Sequence, residues 1–239
     1  MNEVVDVLYS TCRELGVSLE EFHVKQLLEY MELIKDWNKK VNLTRITDDR
    51  EMMVKHFADS LAIVGIETLP HEGKGIDVGT GAGFPGIPLK IYYPGIQMTL
   101  LDSLKKRIDF LSEVIRRLGL KDVELVHGRA EDVAKEKAHR QVYDFCFSRA
   151  VAPLNVLCEY CLPFVKIGGT MMAMKGRNVA DELKESKKAM ELLGGKLLKV
   201  VEYKLPPDIV HCVVIIKKVK PTPDKYPRKA GIPVKSPLK

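Results

Sequence analysis

The sequence predicts an α/β protein: a mostly parallel seven-stranded sheet with an antiparallel last strand, behind an N-terminal helical extension. Three observations carry this. Apolar residues recur at helical spacing through the first 70 residues. From Gly75 onward, short strand-like runs alternate with helical ones. Between the first such strand and its helix lies a glycine-rich stretch, DVGTGAGFPGIPLK, at residues 77–90.

In chain order, Ser18 and Glu21 stand at capping-box spacing and predict a helix start. Leu27, Tyr30, Met31, Ile34, Trp37 and Val41 continue it as one apolar face. Residues 49–64 repeat the pattern with Met53, Phe57, Leu61 and Val64. The strand candidates are then GIDVG, QMTLLD, DVELVHG, YDFCFSRA and TMMAMKG. Between them fall four helical segments: IPLKIYYP, residues 104–118 ahead of Gly119, a stretch near 131–139, and PLNVLCEYCLPFV. A helix over 181–193 precedes two last strands, KLLKVVEYKL and HCVVIIKKV. No crossover-length segment separates that pair, so antiparallel pairing follows. The expected divisions are a helical subdomain over 1–70, the sheet domain over 71–219 and a basic Pro/Lys-rich tail over 220–239.

Composition bounds the function classes. The 239 residues suffice for one large domain with an added subdomain. No apolar run approaches the roughly 20 residues that cross a bilayer, and MNEVVDVLYS lacks the basic-then-apolar pattern of a signal peptide. A cytoplasmic protein without a membrane partner is expected. Five cysteines at irregular spacing exclude a disulfide framework. Cys158 and Cys161 form a lone CxxC on a helical face with Leu154 and Leu157, which predicts packing and no metal. The net charge of +6 is uneven: residues 165–239 hold 17 Lys/Arg against 7 Asp/Glu, and residues 1–164 hold 21 against 25. The last stretch, KKVKPTPDKYPRKAGIPVKSPLK, suits either a polyanion or a solvated, disordered end. Nothing in the sequence fixes an oligomeric state.

Two glycine spacings overlap in the loop. Gly79, Gly81 and Gly83 suit S-adenosyl-L-methionine; Gly81, Gly83 and Gly86 suit a dinucleotide. Pro85 fits a helix start in either case. Asp102, ending the second strand, can accept hydrogen bonds from the ribose of either cofactor, and with Ser103 it can also cap the next helix. Other positions separate the two. Asp77 completes D-x-G-x-G-x-G, which resembles motif I of the Rossmann-like class I SAM-dependent methyltransferases. Gly128-Arg129-Ala130-Glu131-Asp132 resembles their adenine-contacting turn, and the two last strands their closing hairpin. A nicotinamide oxidoreductase would need a substrate domain, and little chain follows the fifth strand. S-adenosyl-L-methionine is the cofactor expected.

The segment after the fourth strand, Ser148-Arg149-Ala150-Val151-Ala152-Pro153, lacks the Pro-Pro-aromatic motif of exocyclic-amine methyltransferases. No cysteine follows a proline as in pyrimidine-C5 enzymes. What remains is an acceptor already nucleophilic at neutral pH. Guanine N7 qualifies, and carboxylate or hydroxyl acceptors stay open.

At this point whole segments resemble one family. Trp37-Asn38, Asn42-Leu43-Thr44 and His56-Phe-Ala-Asp59-Ser60 are similar to the helical region of the RsmG (GidB) family, bacterial 16S rRNA guanine-N7 methyltransferases. DVGTGAGFPGIPLK, LLDSLKKRIDFL, HGRAED, SRAVAPL and KYPRKAGIPVKSPL match in the same order, nearly end to end. The resemblance implies methylation at N7 of a guanosine in the 530 loop of 16S rRNA, guanosine 527 in that RNA's numbering, on free RNA, the small ribosomal subunit or an assembly intermediate. It places Gly79, Phe84, Ala130, Glu131 and Arg149 at S-adenosyl-L-methionine, to which the loop and ribose arguments add Gly81, Asp102 and Ser103. Arg149 and His56 are the catalytic candidates, and His56, Asp59 and Asn42 suit the RNA side of the pocket or local helix capping. Lys175, ending the fifth strand, is open to phosphate or solvent; Lys225, Arg228, Lys229 and Lys235 are the RNA-binding candidates. Two alternatives remain: an NAD-dependent oxidoreductase, resting on the Gly81, Gly83 and Gly86 spacing with Asp102, and a non-catalytic RNA-binding protein, resting on the basic tail alone.

Overall fold

The computed structural model describes residues 3–67, 69–177 and 179–239. Two helices come first, α1 (Glu3–Glu14) and α2 (Glu21–Asn38). A continuous helical rod follows: α3 (Asp49–Met52), a π-helical segment (Met53–Ala58) and α4 (Asp59–Ile66). The alternating part runs β1 (Gly73–Val78), α5 (Gly86–Tyr92), β2 (Ile96–Asp102), α6 (Lys105–Leu118), β3 (Val123–His127), α7 (Ala130–Val133), β4 (Tyr143–Arg149), α8 (Leu154–Cys161) and β5 (Val165–Gly176). Then come α9 (Val179–Leu192), β6 (Gly195–Leu205), β7 (Ile209–Lys218) and the short α10 (Ile232–Lys235).

The seven strands form one sheet in the order β3-β2-β1-β4-β5-β7-β6. All pairs are parallel except those of β7, which runs antiparallel to both β5 and β6. Strand order reverses at β1, so a crevice opens outside the carboxyl ends of β1 and β4. The period-two alternation of the strands feeds two cores. Phe145, Phe147, Met98 and Leu100 face one side, where they share a cluster with Leu27, Tyr30, Ile34 and Phe57 of the N-terminal helices. Ile76, Val78, Cys146 and Leu101 face the other, packed with α8 and α9. Cys158 and Cys161 are fully buried there, which is the packing role their spacing predicts.

Three local differences from the sequence reading have physical causes. Helix α2 starts at Glu21 rather than at Ser18, with Glu20 as cap. The Glu20 N–H donates to His23 Nδ1, and the His23 ring is buried against Tyr92. The helix also stops at Asn38 and leaves Val41 outside. The Asn38 carboxamide reaches forward instead, accepting from the N–H groups of Leu43 and Thr44 and donating to the Thr44 carbonyl. That clasp explains Trp37-Asn38 and Asn42-Leu43-Thr44 as one structural unit.

The third difference is the tail, which is pinned to the sheet domain although several of its side chains are exposed. Arg140 gathers the carbonyls of Thr222, Pro223 and Tyr226, and Gln141 accepts from the Thr222 N–H. Tyr226 is buried, and the Arg228 guanidinium grips Glu159, which is itself 1% exposed. Charge composition could not anticipate this, because the anchors are main-chain carbonyls and one buried carboxylate.

Candidate functional site

β1 carries Asp77 to the base of the glycine loop. Its Oδ2 accepts from the Thr80 hydroxyl at 2.6 Å and from the Gly86 N–H at 2.9 Å, while Oδ1 has no partner among the described residues. Burial pushes its carboxyl up to about 6 against the pull of those two hydrogen bonds. Gly86 is a packing glycine: a Cβ there would stand 2.4 Å from Leu100 Cδ2 and 2.9 Å from Asp77 Oδ2. Gly79 has a different task. It holds φ +71°, and a Cβ would meet Val151 Cγ2 at 2.6 Å, closing the crevice between the loop and the segment after β4.

Over the carboxyl ends of β1, β2 and β3 lies a cavity of about 350 Å³, lined by Gly79, Asp102, Ser103, Ala130, Glu131 and Val151, among others. The size and the switch-point position suit a nucleoside-sized ligand. Asp102 is nearly filled by its own surroundings: it accepts from the Gly81 and Leu104 N–H groups and from Arg107. Of about four acceptor positions on a carboxylate, these use three. Two walls are ones that sequence reasoning missed. Tyr160 comes from α8, pushed up to about 12 by burial and by the Glu131 and Glu159 carboxylates. Gly231 and Val234 come from the C-terminal segment, where the Gly231 N–H donates to Glu131 Oε1 at 3.0 Å. The nearest signal in sequence was the motif GIPVKSPL itself, which gave no hint of what it touches.

A second cavity, about 460 Å³, opens over β4, β5 and β7, with His56, Asp59, Arg149, Lys175, Glu182 and His211 in its walls. The chain after β4 links the two cavities: Arg149 and Ala150 line the second and Val151 the first. Ala150, at this junction, holds the left-handed φ of +55°, a strained conformation of the kind concentrated at functional sites.

Arg149 is set by the π-helical turn. Its Nη1 donates to the Lys55 carbonyl at 3.1 Å and to Asp59 Oδ2 at 2.7 Å, and Nη2 lies 3.3 Å from His56 Nδ1. Arg149 Cζ stands 4.9 Å from the centre of the Phe84 ring, on which His56 also stacks at 4.6 Å. Phe84 therefore places its side chain on this side and not in the first cavity's wall. His56 Nε2 pairs with the Thr44 hydroxyl at 2.8 Å, so the Asn38 clasp aims Thr44 at the imidazole. Burial, and then the Arg149 charge, lower His56 to about 4, which keeps it neutral at pH 7.

Asp59 is the hub. Its Oδ1 accepts from the Tyr203 hydroxyl at 2.7 Å and from His211 Nδ1 at 2.8 Å; Oδ2 takes Arg149. Burial alone would raise its carboxyl, but His211, Arg149 and Tyr203 together hold it below the ordinary range. Tyr203 and His211 were not legible as site residues, because they reach Asp59 from β6 and β7 across more than 140 positions of chain. Asn42 is exposed, outside both cavities. Lys225, Lys229 and Lys235 are exposed on the tail, while Arg228, expected among them, spends its guanidinium on Glu159. A third cavity of about 390 Å³ at the opposite end of the strands, lined by Lys74, Thr99, Glu124 and Tyr143, among others, holds none of the predicted site residues.

A family model described as GidB, rRNA small subunit methyltransferase G, matches residues 23–210. The chain belongs to this family. It is 53% identical over 234 residues to the ribosomal RNA small subunit methyltransferase G of Alkaliphilus metalliredigens, covering 98% of each chain. To that of Thermoanaerobacter pseudethanolicus it is 51% identical over 238 residues, 99% of each. Among solved structures, M. jannaschii TYW2 in complex with AdoMet aligns with TM-score 0.52 at 19% identity, covering 64% of this chain and 72% of that one. That likeness concerns the fold. The family membership agrees with the resemblance read from the motifs, and the sheet is the one expected of class I methyltransferases. No helix among the described residues is long and apolar enough to cross a membrane.

Proposed function

We propose that this chain transfers a methyl group from S-adenosyl-L-methionine to N7 of a guanine in 16S rRNA, at guanosine 527 of the 530 loop. The carrying observation is the pair of cavities joined through Arg149-Ala150-Val151, within a chain of the rRNA small subunit methyltransferase G family. S-adenosyl-L-methionine, when bound, supplies a sulfonium-activated methyl group. Gly79, Asp102, Ser103, Ala130 and Glu131 would hold it, with Gly81 tied to Asp102 and Arg149, over Phe84, on the side of the second cavity. The fit rests on the crevice that a Cβ at Gly79 would fill and on the acceptors Asp102 and Glu131 in the same wall.

The acceptor needs no base, since N7 carries a free lone pair. The chain's own work is positioning, and the neutral His56 and the fixed Arg149 form a rigid floor for that purpose. The target base must leave its stack to reach the second cavity. Lys225, Lys229 and Lys235 are proposed to meet RNA phosphates, in the cytoplasm, where 16S rRNA is the partner. The test is to map N7-methylguanosine in small-subunit RNA with and without the protein, alongside calorimetry with S-adenosyl-L-methionine and NAD. Methylation at another position, or binding of NAD alone, overturns the reading.

A further inference from the structure

The second cavity contains two carboxylates, and they are in opposite states. Both oxygens of Asp59 are taken by side chains of the fold. Glu182, from α9, uses only Oε2, which accepts from the Leu154 N–H at 2.7 Å and forms an ion pair with Lys175 Nζ at 2.8 Å. Its Oε1 carries no hydrogen bond among the described residues, and the side chain is 32% exposed. Lys175, 13% exposed, forms an ion pair with Glu182 and donates to the Ala152 carbonyl, so its three N–H donors are not all committed. An acceptor and a donor with unused capacity thus stand side by side in the wall of a base-sized cavity.

We infer that Glu182 and Lys175 form the subsite that reads the Watson–Crick edge of the methylated guanine, with Glu182 accepting from N1–H and the N2 amino group and Lys175 donating to O6. The inference rests on the proposed methyl transfer to guanine. The chemistry is selective. Guanine alone among the four bases presents two adjacent donors next to an acceptor along that edge. Adenine would set its N6 amino donors against the ammonium and its N1 lone pair against the carboxylate. Uracil offers one donor between two acceptors, and cytosine two acceptors beside one amino group. A guanine held by this edge keeps N7, on its other ring, free for the methyl. The same two side chains brace Ala152 and Leu154, so base recognition and the shape of the segment between the cavities are set by one pair.

The experiment compares guanosine with inosine, which lacks only the N2 amino group and keeps N7, at the target position of 16S RNA reconstituted into small subunits. Wild-type protein is expected to lose about tenfold in kcat/KM on inosine, the value of one hydrogen bond to a charged group. Glu182→Gln keeps an oxygen for the Leu154 N–H but loses the carboxylate. It is expected to fall at least tenfold on guanosine, with the guanosine-to-inosine ratio near one and the Kd for S-adenosyl-L-methionine unchanged. A wild-type ratio near one overturns the inference, as does a Glu182→Gln protein that keeps the wild-type ratio. Wild-type protein that places no methyl on N7 of the guanosine subunits overturns the proposed function itself, and the inference with it.

Discussion

The two cavities differ in what builds them. The first is framed by a tight loop, strand ends and turns, with Gly79 at the point where a side chain would meet Val151. The second is made by side chains converging from distant parts of the chain, with Arg149, Tyr203 and His211 meeting Asp59 across separations of 90, 144 and 152 positions. The loop at the base of the first is written in contiguous residues, 77–90, although its far walls are not. A site of the second kind exists only once the helices have docked on the sheet. Asp59 sits on α4, and its three partners sit on β4, β6 and β7, so the same hub that shapes the second cavity ties the N-terminal helices to the sheet.

Breaking the hub is the largest expected effect. Asp59→Ala leaves the Tyr203 hydroxyl buried without its acceptor and the Arg149 charge buried without its carboxylate, and is expected to cost about 3–5 kcal/mol in denaturant unfolding. A loss under about 1 kcal/mol would show that the hub contributes little to holding the two halves together. Next is Gly79→Ala, which tests the first cavity by itself. Its left-handed backbone and the approach to Val151 predict a stability loss of about 1–2 kcal/mol and at least tenfold weaker cofactor binding. Unchanged binding in isothermal titration would mean that the crevice beside Val151 is not where the ligand lies.

The pH dependence separates the regions more finely. His56 has its pKa lowered from 6.5 to about 4, so its contribution is complete above pH 6.5 and is lost as pH falls toward 4. Asp77 has its pKa raised from 3.8 to about 6, so its contribution is complete below pH 3.8 and is lost as pH rises through 6. The two slopes oppose each other in the wild-type protein. His56→Gln is expected to remove the acid loss and leave the Asp77 slope visible in unfolding curves between pH 4 and 6.5. An unchanged curve would place the titrating group elsewhere.

The smallest effect on folding is expected from Lys225, Lys229 and Lys235 replaced together by Ala. Stability should stay within about 0.5 kcal/mol, while the salt dependence of RNA binding becomes shallower by about 2 in log–log slope. A wild-type slope would make these lysines solubility features.

These contrasts also explain what the sequence revealed. The sheet was legible because strand, loop and helix signals are local, and because Asp77 and the Gly79–Gly81–Gly83 frame separated one cofactor from another. The wall formed by Gly231 and Val234 was not legible, since its partner Glu131 lies 100 positions away and the tail's charge drew attention to solvent. Arg228 shows the cost of reading charge without burial: its sign suited RNA, while its geometry serves Glu159. Tyr203 and His211 carried no motif at all, only a place on the closing hairpin.

The Gly231–Glu131 contact has a consequence for how the protein is made. The chain leaves the ribosome amino end first, and the glycine loop, Asp102 and the Glu131 turn emerge and can fold well before residue 231 does. The first cavity therefore lacks a wall throughout translation of the sheet and gains it only once residues 231–234 have emerged. A nascent chain that has completed β7 holds every strand and nearly the whole core, yet its binding crevice is still missing a side. Competence arrives as one late step, so an interrupted chain is left as a scaffold with an unfinished pocket.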